Sequence, residues 1–250
     1  MDSLFLPLMH SSVLVDLAQV MAPPSAAHWL GTDDLGRDVL ARLRVGLYHS
    51  LTVGSGVLLL TASLGIPLGL WAGWFGGAVD WVVGKLADVV LSFPGILLAL
   101  ALAALLGARL ENVILALGLL GWVGFFRLTR VQVMHIRRAP YLAAAELAGV
   151  PVLRLWRVHI LPNCLGPLRV EALLVVAGSM VAEAGLSFLG LGIPAPEPSL
   201  GGMLRDGMRE VLTAPLLVVA PGVLLICLSV GVNMLAQRRL PLSARMRVGL

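Results

Sequence analysis

The sequence is poor in charged residues and almost without lysine. Of its 250 residues only 13% are Asp, Glu, Lys or Arg, whereas 58% are hydrophobic. Lys85 is the single lysine, so the basic character of the chain comes from arginine. This balance, with a mean hydropathy of +0.94, excludes a soluble globular domain and is typical of a polytopic membrane protein. We therefore expect an all-α protein with several membrane-spanning helices.

The sequence also lacks the motifs of the common enzyme classes. Its one Gly-Lys pair, Gly84-Lys85, has no earlier glycine at the spacing of a phosphate-binding loop, so another polypeptide would have to hydrolyse ATP. HExxH and GxSxG are absent, and the histidines are not at ligand spacing. Cys164 and Cys227 have no CxxC or histidine partner. We expect no catalytic residue, no metal site and no cofactor bound by this chain.

Five apolar runs predict about five membrane spans. They cover roughly residues 50–74, 89–106, 113–126 with its flanks, 168–191 and 215–235. The arginine-rich interval 127–169 separates the third run from the fourth and indicates a cytoplasmic loop, because arginine resists translocation. No aromatic residues alternate with these arginines on a basic face, so their charge indicates topology rather than nucleic-acid binding. We predict an outside N-terminus and an inside C-terminus.

Two spans carry residues that predict how the helices pack or bend. Gly65, Gly69, Gly73 and Gly77 recur every four residues and form one helix face along which a neighbouring helix can approach closely. Pro94 should bend the second span near its start.

Glu183 lies in the fourth span, where an acid is costly unless it faces a polar interior or has a partner. It should therefore point toward the helix bundle, either as a structural hydrogen-bonding residue or as a group on the translocation path.

The arginine-rich interval also predicts a pair of short helices. Residues 141–148 are strong helix formers, with Pro140 before them and Gly149 after them. A second helix over 152–160 should end at Pro162. Alanines on one surface and arginines around them would suit close contact with an acidic partner protein.

With the run His-Ile-Leu-Pro-Asn that follows, this interval resembles the EAA loop of permease subunits in binding-protein-dependent ABC importers. The motif glutamate is replaced by Ala143. The resemblance implies that the loop, about 127–167, docks on an ATPase subunit. The residues assigned to docking are Tyr141, Ala144, Ala145, Glu146, Gly149, His159, Pro162 and Asn163.

An N-terminal motif resembles the LGTDxxGRDxxSR signature of the dipeptide, oligopeptide and nickel branch of the same permeases. Its residues here are Gly31, Thr32, Asp33, Gly36, Arg37 and Asp38. On physical grounds alone, the same stretch predicts an amphipathic helix capped by Thr32 or Asp33, with Arg37 paired to Asp38. The run 182–204 resembles a further signature of this branch, with Gly185 and Leu200 as departures. An amphipathic outer helix is predicted over 205–213.

The resemblance implies an ABC importer type I transmembrane domain over residues 49–237, in the bacterial cytoplasmic (inner) membrane. Residues 1–48 would be an extracytoplasmic segment and 238–250 a basic cytoplasmic tail. A span normally precedes the signature in this branch. We therefore expect either a subunit that lacks this span or a start that lies upstream.

The implied partners are a second homologous permease, two ATPase subunits that bind ATP and magnesium, an extracytoplasmic binding protein and membrane lipid. Peptides are the first expected substrate, and nickel or a metallophore complex is the alternative. A secondary transporter or channel is the alternative outside the ABC class. It is disfavoured because such carriers show internal repeats and several intramembrane ionisable groups.

Overall fold

The computed structural model describes residues 12–238. The predicted basic tail lies outside the described residues except for its first position, as does the beginning of the predicted N-terminal segment. Within residues 12–238 there is no β-strand, only an isolated bridge between Thr32 and Asp38. The expected all-α class is confirmed.

From residue 39 onward the described chain is almost entirely helical. The α-helices are α1 Val39–Phe75, α2 Gly77–Ser92, α3 Gly95–Leu106, α4 Leu110–Ile136, α5 Pro140–Leu147, α6 Val152–Leu155, α7 Leu161–Phe188, α8 Leu200–Gly207 and α9 Leu216–Arg238. Short 3-10 helices cover Leu17–Gln19 and Met208–Glu210, and a π-helix over Trp156–Ile160 joins α6 to α7.

Within the described range, 4 helical stretches are long and apolar enough to cross a membrane, or up to 5 if a bent pair counts as one span. The bent pair is α2 and α3, which meet at 87°. The bend falls at Pro94, as predicted, because proline cannot continue the hydrogen-bonding pattern of α2. The sequence predicted one span over residues 89–106. The structure instead has the bent pair, in which α2 begins at Gly77 and each helix alone is short for a span.

Three predicted boundaries are wrong. No separate amphipathic helix precedes the first span, because α1 runs unbroken from Val39 to Phe75. The second helix of the arginine-rich interval does not end at Pro162. It passes through the π-helix into α7, where the wide π turn leaves room for the proline ring. The predicted outer helix begins earlier, at Leu200, because the Ser199 hydroxyl accepts a hydrogen bond from Gly202 N and caps it.

The described chain divides into two compact units. The first unit contains residues 12–56, 99–116 and 177–230, and the second contains residues 57–98, 117–176 and 231–238. The core of the first unit consists of Val39 and Leu43 from α1, Leu200 and Met203 from α8, and Leu217 from α9.

The main core of the second unit joins α1 and α4 to the helices of the arginine-rich interval. Its buried members are Leu70, Trp74, Phe125, Val133, Leu142, Leu155, Ile160, Cys164 and Leu168. These side chains hold α5 and α6 firmly against the membrane helices.

The glycine face of α1 packs against the backbone of α4. A Cβ added to Gly65 would lie 2.5 Å from Trp122 O, and one added to Gly69 would lie 2.7 Å from Phe126 O. A Cβ on Gly73 would lie 2.8 Å from the next carbonyl along the same face of α4. The predicted close packing is confirmed at these three positions. It is wrong for Gly77, which lies beyond the end of α1 and has no neighbour within 4 Å of an added Cβ.

Candidate functional sites

The signature residues fold into a loop, residues 28–38, that we call the signature loop. Gly31 and Gly36 have φ values of +75° and +72°, which side chains other than glycine rarely adopt. An added Cβ on Gly31 would lie 2.5 Å from Ala22 O, and one on Gly36 would lie 1.8 Å from Asp16 O. A larger residue at either position would strain the backbone and clash with a neighbouring carbonyl oxygen.

Polar side chains of the signature loop hold its own backbone. The Thr32 hydroxyl accepts a hydrogen bond from Ala22 N at 2.8 Å and donates one to the carbonyl of Gln19. Asp33 Oδ1 accepts from Leu35 N at 3.0 Å and from Arg37 N at 2.9 Å. Neither residue caps a helix, which corrects the sequence prediction. Their oxygens bind the turn that precedes the helix.

Asp33 also anchors two buried arginines. Its Oδ2 accepts a hydrogen bond from Arg37 Nε at 2.7 Å and lies 3.3 Å from Arg42 Nε. All three side chains are buried. Arg37 does not pair with Asp38 as predicted, because the turn directs its guanidinium back toward Asp33.

Asp38 is the residue that caps α1. Its Oδ1 accepts a hydrogen bond from Ala41 N at 2.7 Å, the pattern of a helix N-cap, and its Oδ2 lies 2.7 Å from His28 Nδ1. Each polar side chain of the signature is thus committed to contacts within the N-terminal region or at the start of α1. The motif has the geometry of a structural element.

Glu183 is fully buried and hydrogen-bonded through both carboxylate oxygens. Oε2 accepts from the Ser50 hydroxyl at 3.2 Å, and Oε1 accepts from the Ser187 hydroxyl at 2.7 Å. The acid therefore ties α7 to α1 within the first unit. Its expected orientation toward the protein interior agrees with these contacts, whereas its assignment to the translocation path stays a prediction.

His49, beside Ser50, is buried and lies against the proline-rich segment after α7. Its Nδ1 is 2.9 Å from Pro198 O, and its Nε2 is 3.7 Å from Glu197 Oε2. The local sequence carries no signal for this contact, because Pro198 follows 149 positions later.

A second acid in the same span as Glu183 is also missed by sequence reasoning. Glu171 lies in α7, and its Oε1 would be 2.2 Å from a Cβ added to Gly124 of α4. The carboxylate therefore occupies the space that the missing side chain leaves. The signal in the sequence is an acid inside the predicted fourth span, 168–191.

Residues 140–160, which we call the elbow, contain most of the predicted docking residues. Leu142 and Leu155 are fully buried and anchor it in the core of the second unit. Ala144 is exposed, and Ala145 is half-buried against the same core. Leu147 is 90% exposed, so the elbow presents a large apolar side chain away from the protein.

Gly149 ends α5 as predicted. Its φ of +75° allows Gly149 N to donate to Glu146 O at 3.0 Å and Val150 N to donate to Ala145 O at 3.1 Å. This pattern satisfies carbonyls that a helix end would otherwise leave free. No atom lies within 4 Å of an added Cβ, so conformation alone requires this glycine.

The remaining docking residues lie together at one end of the elbow. The Tyr141 and His159 rings are 5.7 Å apart between centroids, and Asn163 Nδ2 donates to His159 O at 2.6 Å. Tyr141 and Asn163 also line an open polar pocket of about 630 Å³. Pro162 occupies the first turn of α7 and is exposed. The structure thus brings the predicted tyrosine, histidine and asparagine into one group.

Within residues 12–238 no group of His, Cys, Asp or Glu is arranged to hold a metal ion.

Comparison with known families gives a match over most of the chain. The profile of the family described as "Binding-protein-dependent transport system inner membrane component" matches residues 65–240.

Several related proteins are peptide permeases. The dipeptide transport system permease protein DppC of Alkalihalophilus pseudofirmus is 37% identical over 235 residues, which cover 93% of this chain and 77% of the relative. The DppC protein of Bacillus subtilis is 40% identical over 204 residues, or 82% of this chain and 64% of the relative. The oligopeptide permease OppC of the same organism is 36% identical over 193 residues, or 77% and 63% of the two chains.

The fold is also similar to a solved structure. An inward-facing form of the MetNI methionine ABC transporter matches with a TM-score of 0.61 at 17% identity, over 80% of this chain and 94% of that chain. This similarity supports the type I transmembrane fold expected from the sequence.

Proposed function

The chain belongs to the family of inner membrane components of binding-protein-dependent transport systems, and we infer from its similarity to peptide permeases that it transports peptides. It is a multi-pass permease subunit of an ABC importer in the bacterial inner membrane. The observation that carries the peptide assignment is its identity of 36–40% to permeases named for dipeptides and oligopeptides.

The elbow is the proposed site at which the ATPase binds. Leu147 is exposed and lies outside every candidate spanning helix of residues 12–238. The elbow also exposes Leu153, Arg154, Arg157 and Val158, on the helical stretch that continues into α7. Apolar groups outside the spanning helices are disfavoured in water, and a partner protein would cover them. The arginines would attract an acidic surface on that partner.

The complete importer is proposed to contain a second homologous permease, two ATPase subunits, an extracytoplasmic binding protein and surrounding lipid. ATP and magnesium would bind to the ATPases, and this chain would bind no cofactor. Closure of the ATPases would move the elbow and switch the helices between inward-open and outward-open states. In this scheme the permease contributes the path and the ATPase contributes the chemical energy.

Uptake into vesicles that contain the reconstituted importer tests the substrate. Labelled dipeptides should accumulate only with ATP and the binding protein, and an excess of unlabelled dipeptide should abolish the signal. Accumulation of radioactive nickel, free or chelated, without competition from dipeptides would overturn the peptide assignment.

A single substitution tests the elbow as the docking site. Leu147→Glu should abolish co-purification of the ATPase, because it places a charge in the proposed apolar contact. Leu212→Glu is the matched control, since Leu212 is 95% exposed in the first unit. Retention of the ATPase by Leu147→Glu would contradict the docking proposal.

A further inference from the structure

Arg137 lies where the elbow meets the C-terminal end of α1. Its Nη1 donates a hydrogen bond to Trp74 O, and its guanidinium carbon lies 4.8 Å from the centroid of the Trp74 ring. Its Nε lies 3.7 Å from Glu146 Oε1. Trp74 is the last residue but one of α1, and Glu146 belongs to α5. One side chain therefore contacts both helices.

The end of α1 suits an arginine for three physical reasons. The last carbonyls of a helix have no partner within the helix, and Trp74 O is one of them. A positive charge at a helix C-terminus is favoured by the helix dipole. A guanidinium can also lie on an indole ring while its N–H groups donate elsewhere, which the compact ammonium of lysine does less well.

The ion pair between Arg137 and Glu146 is too exposed to be an important source of stability. The side chains are 43% and 39% exposed, and pairs in such positions contribute little to folding because water screens them. The pair can nevertheless determine where α5 lies relative to the end of α1. Such a weak ion pair can break and form again as the helices move during a transport cycle.

A second contact joins the elbow to the same helix end. The Trp156 ring, at the start of the π-helix, meets the Trp74 ring edge-on at 6.4 Å and the Phe75 ring at 6.1 Å between centroids. Such edge-to-face contacts favour one relative orientation of the rings. Two parts of the elbow thus connect to Trp74. The helix α5 does so through the pair of Glu146 and Arg137, and the π-helix does so through Trp156.

We propose that Arg137 is a positioning residue that transmits movement of the elbow to α1, and that Glu146 is the acid through which α5 engages it. The inference rests on the proposed docking of the ATPase to the elbow. Glu146 is the single acid of the elbow, because the motif glutamate is Ala143 here.

The test measures docking and coupling separately in the reconstituted importer. The variants are Arg137→Met, Arg137→Lys, Glu146→Gln and the double variant Arg137→Met/Glu146→Gln. Docking is read as co-purification of the ATPase. Coupling is read as the stimulation of ATP hydrolysis by the binding protein and as dipeptide uptake per ATP. Arg109→Met is the matched control, because Arg109 is exposed, precedes α4 outside the docking loop, and forms no ion pair with any residue described.

All variants should retain the ATPase. Arg137→Met should lower both coupling measures about fivefold and Glu146→Gln about twofold, as expected for the loss of weak, partly exposed contacts. Arg137→Lys should fall between Arg137→Met and the wild type. The double variant should be no worse than Arg137→Met, because the two residues act through each other. Arg109→Met should couple like the wild type.

Wild-type coupling in Arg137→Met would overturn the inference. Loss of the ATPase from Arg137→Met, in parallel with Leu147→Glu, would also overturn it, because Arg137 would then serve docking or folding. If Glu146→Gln alone released the ATPase, Glu146 would contact the partner directly and would not act through Arg137. If the wild-type chain captured no ATPase, the proposed docking would fail first, and this inference with it.

Discussion

The signature loop and the elbow are both recognised from short sequence motifs, yet their side chains are used in opposite ways. In the signature loop, Asp33 and Arg37 are buried, and the carboxylate of Asp33 binds Arg37 and the buried Arg42 of α1. In the elbow, Leu147 and Arg154 are exposed to the surroundings. The first motif therefore stabilises its own fold, whereas the second leaves a surface available to a partner.

Their glycines show the same difference. Gly36 has a positive φ and also lies against the backbone of Asp16, so an added methyl group has no space. Gly149 has a similar φ but an open environment. Replacing Gly36 should therefore destabilise the protein more than replacing Gly149. Both replacements strain the backbone, but only the one at Gly36 also creates a steric clash.

Gly36→Ala should have the largest effect. The new Cβ would lie 1.8 Å from Asp16 O, so the N-terminal segment must move or unfold. We expect a loss of about 4 kcal/mol in the free energy of unfolding, measured by denaturant titration in detergent. Gly149→Ala is the matched control and should lose only about 1 kcal/mol, from backbone strain. Equal losses of unfolding free energy would contradict the inference that packing restricts Gly36 but not Gly149.

Asp33→Asn should have the next largest effect. It leaves Arg37 and Arg42 buried without their anion, which costs about 3 kcal/mol in unfolding free energy. Glu146→Gln breaks a partly exposed pair in the elbow and should cost less than about 1 kcal/mol. The thermal midpoints of the two purified variants give the comparison. A smaller fall for Asp33→Asn than for Glu146→Gln would contradict the structural role of the signature loop.

Asp38→Ala should have an intermediate effect, because it removes the N-cap of α1 and the partner of His28. The expected loss is about 1 kcal/mol in unfolding free energy. Asp38→Asn keeps a capping oxygen and should recover most of it. If both variants unfold alike, the cap hydrogen bond to Ala41 N contributes nothing measurable.

Leu153→Ser should have the smallest effect on stability, since this elbow side chain is exposed. The unfolding free energy should change by less than about 0.5 kcal/mol, while capture of the ATPase weakens. Leu155→Ser, two positions later but fully buried, should destabilise the protein strongly. A stability loss in Leu153→Ser comparable to that in Leu155→Ser would mean that the elbow surface is part of the fold.

Features that depend on residues close together in the chain were predictable from the sequence. The apolar runs, the bend at Pro94, the helix that ends at Gly149 and the glycine face of α1 all follow from local composition or periodicity. Boundaries were less predictable. The continuity of α1 and the π-helix before Pro162 depend on which carbonyls and side chains lie nearby, and a linear pattern does not contain that information.

The functional side chains divide in the same way. The residues of both motifs were identified from the sequence, but the partners of Arg37, Asp38 and Glu183 were not. His49 and Glu171 gave too weak a signal to be singled out, because each is defined by a group far away in the chain.

By itself, the sequence determined the class of this protein, its approximate spans and its family, because hydrophobic length and motif spacing are properties of the chain alone. The tertiary structure decided which polar residues are buried and which are available. It closed the signature loop around Asp33 and placed Arg137 between Trp74 and Glu146. Those outcomes depend on hydrogen bonds and contacts between distant residues, which form only when the helices pack.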